Sequence, residues 1–411
     1  MNRNRMNKKR MGRARVLSRA AAGMLAAALC FQPMTALAGP AGDSSLTSSS
    51  SNAGPGGGSG SSNSGSTGSS GGSTSVSNGG VSAVTSGLGV YRVTENEGIG
   101  AIARGVDVSY WQQNVNWSQV ASDNVQFAML ATRFRGNVDP FFAMNAANAS
   151  QAGLRLGAYI YSYATSVEMA QQEADFVLNL IKDYPISFPV VFDAEDANTL
   201  GTLTQSQVSD VINAFCKRIQ DAGYYPMVYA NEYWIANKID MSKISYDIWV
   251  AKYQQKYTYS KTSMWQASNT GSVKGVNGNV DIDYLYKDYT QIIPGNTWRT
   301  IAGNRYYYQN HVMQKAAWIN DGQNWYYMNA AGNPSKGWLE LSGKKYYLEA
   351  DGHMITGWKT LDGGWRYFDA SGEQATGWRA VDGSWYFMAD NGLMQTGWLE
   401  DGGAKYYLST S

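Results

Sequence analysis

Along residues 101–290 short apolar runs alternate with segments whose apolar positions recur at helical spacing. The runs ARGVDVS (103–109), VQFAMLAT (125–132), RLGAYIYSY (155–163), FPVVFDAE (188–195), YPMVYAN (225–231), YDIWVAKY (246–253) and SMWQAS (263–268) read as strands, being short and rich in β-branched and aromatic residues. Between them EMAQQEADFVLNLIKDY (168–184) and QSQVSDVINAFCKRIQDAG (205–223) carry the one-sided apolar stripe of surface helices. Strands that alternate with helices predict an α/β fold with a mostly parallel sheet, and seven or eight of them predict a TIM-type (β/α) barrel. Side chains at the C-terminal ends of such strands face the barrel mouth, where chemistry is done.

After about Asn296 the texture becomes a repeat. Trp298, Trp318, Trp338, Trp358, Trp378 and Trp398 fall at a period of 20 without a slip, and Tyr307, Tyr327, Tyr347, Tyr367, Phe387 and Tyr407 recur with the same step. Each unit reads as a short β-hairpin too small to bury its own apolar face, so the five to six units of 296–411 are expected to stack into a solenoid. Residues 39–100 read as a Ser/Gly-rich, disordered linker, because 51–80 hold 11 Gly and 11 Ser and almost nothing to bury.

The first 38 residues stand apart. Eight Lys/Arg between Arg3 and Arg19, the apolar run AAAGMLAAALCF (20–31) and Ala36-Leu37-Ala38 predict a secretory signal peptide cleaved after Ala38. The run is short for a bilayer span, so no stable membrane insertion is expected after cleavage. Of 33 Lys/Arg, 25 remain beyond the leader against 32 Asp/Glu, a formal charge of −7 that disfavours nucleic acid as a partner. Cys216 is then the single cysteine, so stability must come from core and repetition rather than an intrachain disulfide.

The run at 188–195 ends abruptly in carboxylates: Asp193, Glu195 and Asp196 follow VVF with no turn residue between. Residues two apart on a strand share a face, which sets the Asp193 and Glu195 Cα atoms ~6–7 Å apart on one side. Two carboxylates so close raise one pKa, and a carboxyl protonated near neutral pH is what a general acid requires. Residues 101–290 contain no histidine, since His311 and His353 lie in the repeats, which disfavours zinc hydrolases and Cys/His peptidases. Carboxylate chemistry remains, and with it glycoside hydrolysis. A pair that reaches the sugar from one side suits substrate assistance: Glu195 protonates the leaving oxygen, a 2-acetamido oxygen attacks the anomeric carbon, and Asp193 orients it. Aromatic and polar groups at other strand ends, Tyr161, Tyr163, Tyr229, Trp249, Tyr253, Trp265 and Gln266, are candidates to line the sugar groove, with a core role the alternative for each. Arg133 and Arg135 could contact acidic groups of the substrate, with a structural salt bridge the reading for at least one of them.

GVDVSYWQ (105–112), ATRFRGNVDPFFAMN (131–145), AGLRLGAYIYSY (152–163), VVFDAED (190–196), YPMVYAN (225–231), IWVAKY (248–253), MWQAS (264–268) and GVNGNVDIDYL (275–285) follow one another as in the family 25 glycoside hydrolases. The chain resembles these modified (β/α)-barrel muramidases over the whole of 101–290. The resemblance implies Glu195 as acid/base, Asp193 as its partner, Asp107 as the first-strand carboxylate and Asp281, rather than Asp283, as the last-strand one. It implies no metal or cofactor, and peptidoglycan as substrate, cut at the β-1,4 bond between N-acetylmuramic acid and N-acetylglucosamine.

The 20-residue units resemble choline-binding or cell-wall-binding repeats, in which aromatic rings cage a quaternary ammonium. The resemblance implies cages of Trp325 with Trp338 and Tyr347, Trp365 with Trp378 and Phe387, and Trp385 with Trp398 and Tyr407. Arg305, Lys345 and Lys405 occupy the hairpin position of the remaining units and make poor walls for a cation. The implied partner is choline-bearing teichoic acid or a wall glycan. The expectation is therefore a secreted, cell-wall-associated lysozyme, and its competitor is a non-catalytic wall-binding surface protein with a decayed barrel.

Overall fold

The computed structural model describes residues 75–78, 81–93, 98–253 and 255–410. The expected signal peptide (1–38) and the Ser/Gly tract up to residue 74 lie outside the described residues. Eight strands close into a barrel: β1 (Ala103–Val108), β2 (Phe127–Ala131), β3 (Arg155–Tyr161), β4 (Ile186–Asp193), β5 (Pro226–Asn231), β6 (Asp247–Ala251), β7 (Thr262–Gly271) and β8 (Val280–Leu285). Neighbours are parallel from β1 through β7, whereas β8 runs antiparallel to both β7 and β1. The link 272–279 between β7 and β8 is too short for a crossover helix, so the chain returns in the opposite direction.

Helices α1 (Trp117–Ser122), α2 (Phe142–Gln151), α3 (Val167–Ile181), α4 (Gln205–Asp221) and α5 (Glu232–Asn237) follow strands of the barrel. The two long ones begin where the sequence places caps: Ser166 Oγ accepts from the Met169 N–H, and Thr204 forms a capping box with Gln207. Inward residues Phe127, Met129, Phe188, Val191, Met227, Met264 and Leu285 fill the barrel. Outward residues Val106, Leu130, Ile160, Phe192, Val228 and Val250 belong to the core that includes the helices. Both faces are therefore dry, which is why these strands are apolar nearly throughout. Gly105 points inward, where a Cβ would stand 2.2 Å from the Phe127 ring, so β1 can close only with glycine there.

The linker expected over 39–100 is too long at its C-terminal end. Val81–Ser86 and Gly89–Val93 form an antiparallel hairpin, joined by Ser75–Asn78, and Tyr91 is fully buried. The run VSAVTSGLGVYRV has strand-like alternation about a turn glycine at positive φ, a local signal hidden by the composition of the longer tract.

From Thr297 six hairpins follow, each setting its tryptophan directly opposite the aromatic nine residues on, from Trp298↔Tyr307 to Trp398↔Tyr407. Ser342-Gly343, Asp362-Gly363 and Asp382-Gly383 make two-residue turns with both φ positive, the geometry that matches strand twist. The first unit docks on the barrel. Arg299, 1% exposed, lies between the rings of Tyr224 (3.9 Å) and Tyr308 (4.4 Å), and its Nε donates to the Gly223 carbonyl (3.2 Å). Tyr308 Oη donates to the Lys182 carbonyl (2.8 Å), and Lys315 pairs with Asp183 (2.7 Å). These groups lie just beyond the C-termini of α3 and α4, where the helix dipole favours a cation. They precede β4 and β5, away from the strand ends described next.

Candidate active site

A cleft of 610 Å³ opens over the C-terminal ends of the parallel strands. Its acidic lining comes from four places in the chain: Asp107 on β1, Asp193 at the end of β4, Glu195 and Asp196 just beyond it, and Asp281 on β8. Because β8 runs backwards, its beginning meets the mouth where the other strands end. Asp281 therefore stands in direct register with Asp107.

Asp193 is 7% exposed, and its Oδ1 is buried with no hydrogen-bond partner. Burial, then the neighbouring charge of Glu195, push its carboxyl well above the usual carboxylate range. Glu195 lies past the end of β4, so strict strand alternation no longer governs it, yet it lines the same cleft as Asp193. Its Oε1 accepts from the Asn231 N–H (2.6 Å), and burial raises its pKa against that bond. Strand alternation continued from Asp193 would turn Asp196 to the opposite face. Asp196 also reaches the cleft, but its Oδ1 is engaged by Asn198 N–H, Thr199 N–H and Thr199 Oγ, and its Oδ2 accepts from Tyr161 Oη (3.2 Å).

A second carboxyl cluster lies across the cleft. Burial and then the charges of Asp281 and Asp283 push Asp107 well up, while Asp281 is raised to about 6 by burial despite a hydrogen bond with Asp107. Gln266 Nε2 donates to Asp107 (2.8 Å), and Gln266 Oε1 accepts from Tyr229 Oη (2.9 Å) and Tyr253 Oη (2.8 Å). Asp283 is fully buried beneath them, accepts from Trp249 Nε1 (3.0 Å) and does not line the cleft. Of the two Asp residues in VDID, Asp281 is thus the one at the mouth.

Tyr161, Tyr163, Tyr229, Trp249, Tyr253 and Gln266 all line the cleft. Trp265 does not: it packs outward against Tyr257 and Tyr284, and its Nε1 donates to the Lys252 carbonyl (2.9 Å). The strand period of two sends Trp265 to the outer core because Gln266 points in. Sequence reasoning missed Trp111, Phe134, Tyr159 and Asn269. Tyr159 was findable, standing two residues before Tyr161 on β3. Trp111 lies beyond β1 and is 67% exposed at the rim, edge-on to Phe134 (5.6 Å). Arg133 is engaged in a buried pair with Glu173 (2.6 Å) and stacks on Tyr163 (4.7 Å), whereas Arg135 lies exposed on the cleft wall beside Phe134. Among the described residues no group of three or more His, Cys, Asp and Glu is arranged to hold a metal ion, and no helix is long and apolar enough to cross a membrane.

In the repeats the rings group differently from the expected cages. Trp358 meets Trp365 of its own hairpin (6.3 Å) and Tyr386 of the next (4.7 Å), and Trp378 likewise meets Trp385 (6.5 Å) and Tyr406 (4.8 Å). Trp318 meets Tyr346 (5.0 Å). Tyr347, Phe387 and Tyr407 are the partners directly across the hairpin from Trp338, Trp378 and Trp398, each at 5.3 Å. The cause is the cross-strand diagonal: a residue two before the opposed partner shares the face of the tryptophan, so Trp365 and Trp385 meet the tryptophans of their own units.

A closed (β/α) barrel with a carboxylate-lined cleft at its strand ends, followed by aromatic hairpin repeats, defines a modular glycoside hydrolase. The model of the "Glycosyl hydrolases family 25" matches residues 106–276, and the chain belongs to that family. The repeats match "Choline-binding repeat" at 335–376 and 375–411 and "Putative cell wall binding repeat" at 317–333. The chain is 31% identical over 189 residues to the uncharacterized protein YegX of Escherichia coli O157:H7, covering 44% of this chain and 68% of that one. It is 30% identical over 195 residues to lysozyme M1 of Streptomyces globisporus, covering 43% and 66%. Among solved structures, the Cpl-1 endolysin of phage Cp-1, crystallised with a peptidoglycan analogue, is 22% identical over 75% of this chain and 92% of that one, with a TM-score of 0.37. The protein is a lysozyme-like glycoside hydrolase with choline-binding repeats.

Proposed function

We propose that the protein is an exported N-acetylmuramidase that cuts the β-1,4 bond between N-acetylmuramic acid and N-acetylglucosamine with help from the substrate's acetamido group. The observation that carries this reading is that Glu195 and Asp193 line one cleft side by side, with no hydrogen-bond partner to Asp193 Oδ1 among the described residues. Glu195, its pKa raised by burial, gives its proton to the leaving oxygen; the acetamido oxygen then attacks the anomeric carbon while Asp193 holds and stabilises the acetamido nitrogen. Water opens the resulting oxazolinium with Glu195 as base, and configuration is retained. Asp107 and Asp281, linked through Gln266 to Tyr229 and Tyr253, form the polar wall opposite. Trp111 and Phe134 at the rim offer faces for pyranose rings. The repeats hold the barrel at the wall by binding choline on teichoic acid, a reading supported by their family match and by the open ring clusters at Trp358 and Trp378.

Clearing of purified walls by the wild type and by Glu195→Gln tests the assignment, with a loss of about 10²–10⁴-fold expected for a removed general acid. Equal clearing would refute it. Asp193→Asn should fall about 10²–10³-fold, on the scale of a lost transition-state stabiliser, although Glu195 remains. Mass spectrometry of released fragments should find N-acetylmuramic acid at the new reducing end. N-acetylglucosamine there would make the enzyme a glucosaminidase.

A further inference from the structure

The six hairpins meet at five junctions. Each is built on the tryptophan of one unit, the residue seven further on in the same hairpin, and an outward residue of the next hairpin 28 further on. At Trp318, Trp358 and Trp378 these are all aromatic: Trp325 and Tyr346, Trp365 and Tyr386, Trp385 and Tyr406. Their hairpin tryptophans are 46%, 50% and 66% exposed, so each cluster opens to water.

The other two junctions depart from the pattern in the same sense. At Trp298 the hairpin residue is Arg305, whose guanidinium lies 4.1 Å from the indole centroid. At Trp338 the hairpin residue is Lys345 and the place of the next tyrosine is taken by Arg366, 5.0 Å over the indole and 7% exposed. Arg366 is held firmly: Nε donates to the Leu361 carbonyl (3.4 Å), Nη1 to the Asn391 carbonyl, and Nη2 approaches Asp362 (3.4 Å), which also accepts from Trp338 Nε1 (3.1 Å). A third position changes with these two. Gln374 donates its N–H to the Lys345 carbonyl (2.7 Å), where Met354 and Met394 donate to Trp325 (2.7 Å) and Trp365 (2.8 Å). Trp, Tyr and Met have thus become Lys, Arg and Gln at one junction, leaving a polar pocket of 380 Å³.

We propose that Arg305 and Arg366 are built-in occupants of the tryptophan faces at these two junctions, so that the array takes an external quaternary ammonium at three of its five junctions. The proposal rests on the reading of the repeats as quaternary-ammonium binders. A tethered guanidinium competes at an effective concentration of order millimolar or more. Displacing Arg366 would also break hydrogen bonds that a trimethylammonium, having no donor, cannot replace.

Equilibrium dialysis of the full chain against labelled choline should give three sites per chain. Arg366→Tyr combined with Lys345→Trp should raise the count to four. Tyr386→Arg, which carries the plug to the Trp358 junction, should lower it to two. Near-ultraviolet circular dichroism reports whether each array is folded, and if the double variant is not, Tyr386→Arg decides alone. Four or five sites in the wild type, or three in Tyr386→Arg, would overturn the proposal. So would three in a folded double variant. No choline binding by the wild type would instead remove the reading of the repeats on which the proposal stands.

Discussion

Asp281 and Asp107 face each other across the β8–β1 register with Asp283 buried just behind, so three carboxyls share one dry corner. Burial holds Asp281 at about 6 in the folded protein against 3.8 for a free side chain, and pushes Asp107 and Asp283 well above the usual carboxylate range. A carboxyl whose folded pKa is raised binds its proton more tightly in the folded state, so its contribution to stability is fully present below the unfolded pKa and is lost as pH rises through the folded one. For Asp281 that window runs from about 4 to about 6. Asp281→Asn removes the penalty and should stabilise the barrel at pH 7–8 by about 1–2 kcal/mol, a few degrees in Tm, with little change near pH 4. Calorimetry at the two pH values measures this. Equal shifts at both would show that the carboxylate charge is not the cause. The identity of the acidic residues was legible in the sequence because each sits at a strand end within a motif. Strand parity could not choose between Asp281 and Asp283, which point the same way; only the family resemblance favoured Asp281, and depth in the barrel is what separates them.

Elements position the rim as much as residues do. Glu173 on α3 accepts from Arg133 Nη2 (2.6 Å), Ser162 Oγ (2.6 Å) and the Tyr163 N–H (3.0 Å), tying that helix to the segments after β2 and β3. Glu173→Gln leaves Arg133 buried without its counter-charge and should cost roughly 2–4 kcal/mol, read as a lower urea midpoint. An unchanged midpoint would mean that solvent reaches the guanidinium and the pair is dispensable. Strands and the two long helices were readable from apolar periodicity and caps, because those signals are local. The hairpin at 81–93 was not read, since the composition of the tract around it outweighed a short alternation. Trp265 was misplaced because an aromatic at a strand end says nothing of its side until the neighbouring residue, here Gln266, is known to point inward.

At the scale of the molecule, the first repeat is an adaptor as well as a repeat. Arg299 stacks between a barrel tyrosine and a repeat tyrosine, and Tyr308 reaches the end of α3. Two such cation–π contacts are worth on the order of 2 kcal/mol, so Arg299→Ala should raise the rate of proteolysis in the link 291–296 at least about tenfold while the remaining hairpins, which stack on one another, stay protected. Cleavage at the wild-type rate would mean that Tyr308 and Lys315 suffice to hold the junction.

Periodicity and residue chemistry by themselves determined the order of elements, the barrel, the 20-residue hairpin array and the acidic pair at the end of the fourth strand, because each of these is written within a few neighbouring residues or in a fixed step. Tertiary structure alone decided that β8 turns back and brings Asp281 against Asp107, that Trp265 belongs to the outer core, and that Arg133 is already paired. It also decided which rings share a junction and where an arginine stands in for a tyrosine. Those outcomes depend on strand direction, register and closure, which are set by contacts between residues far apart in the chain.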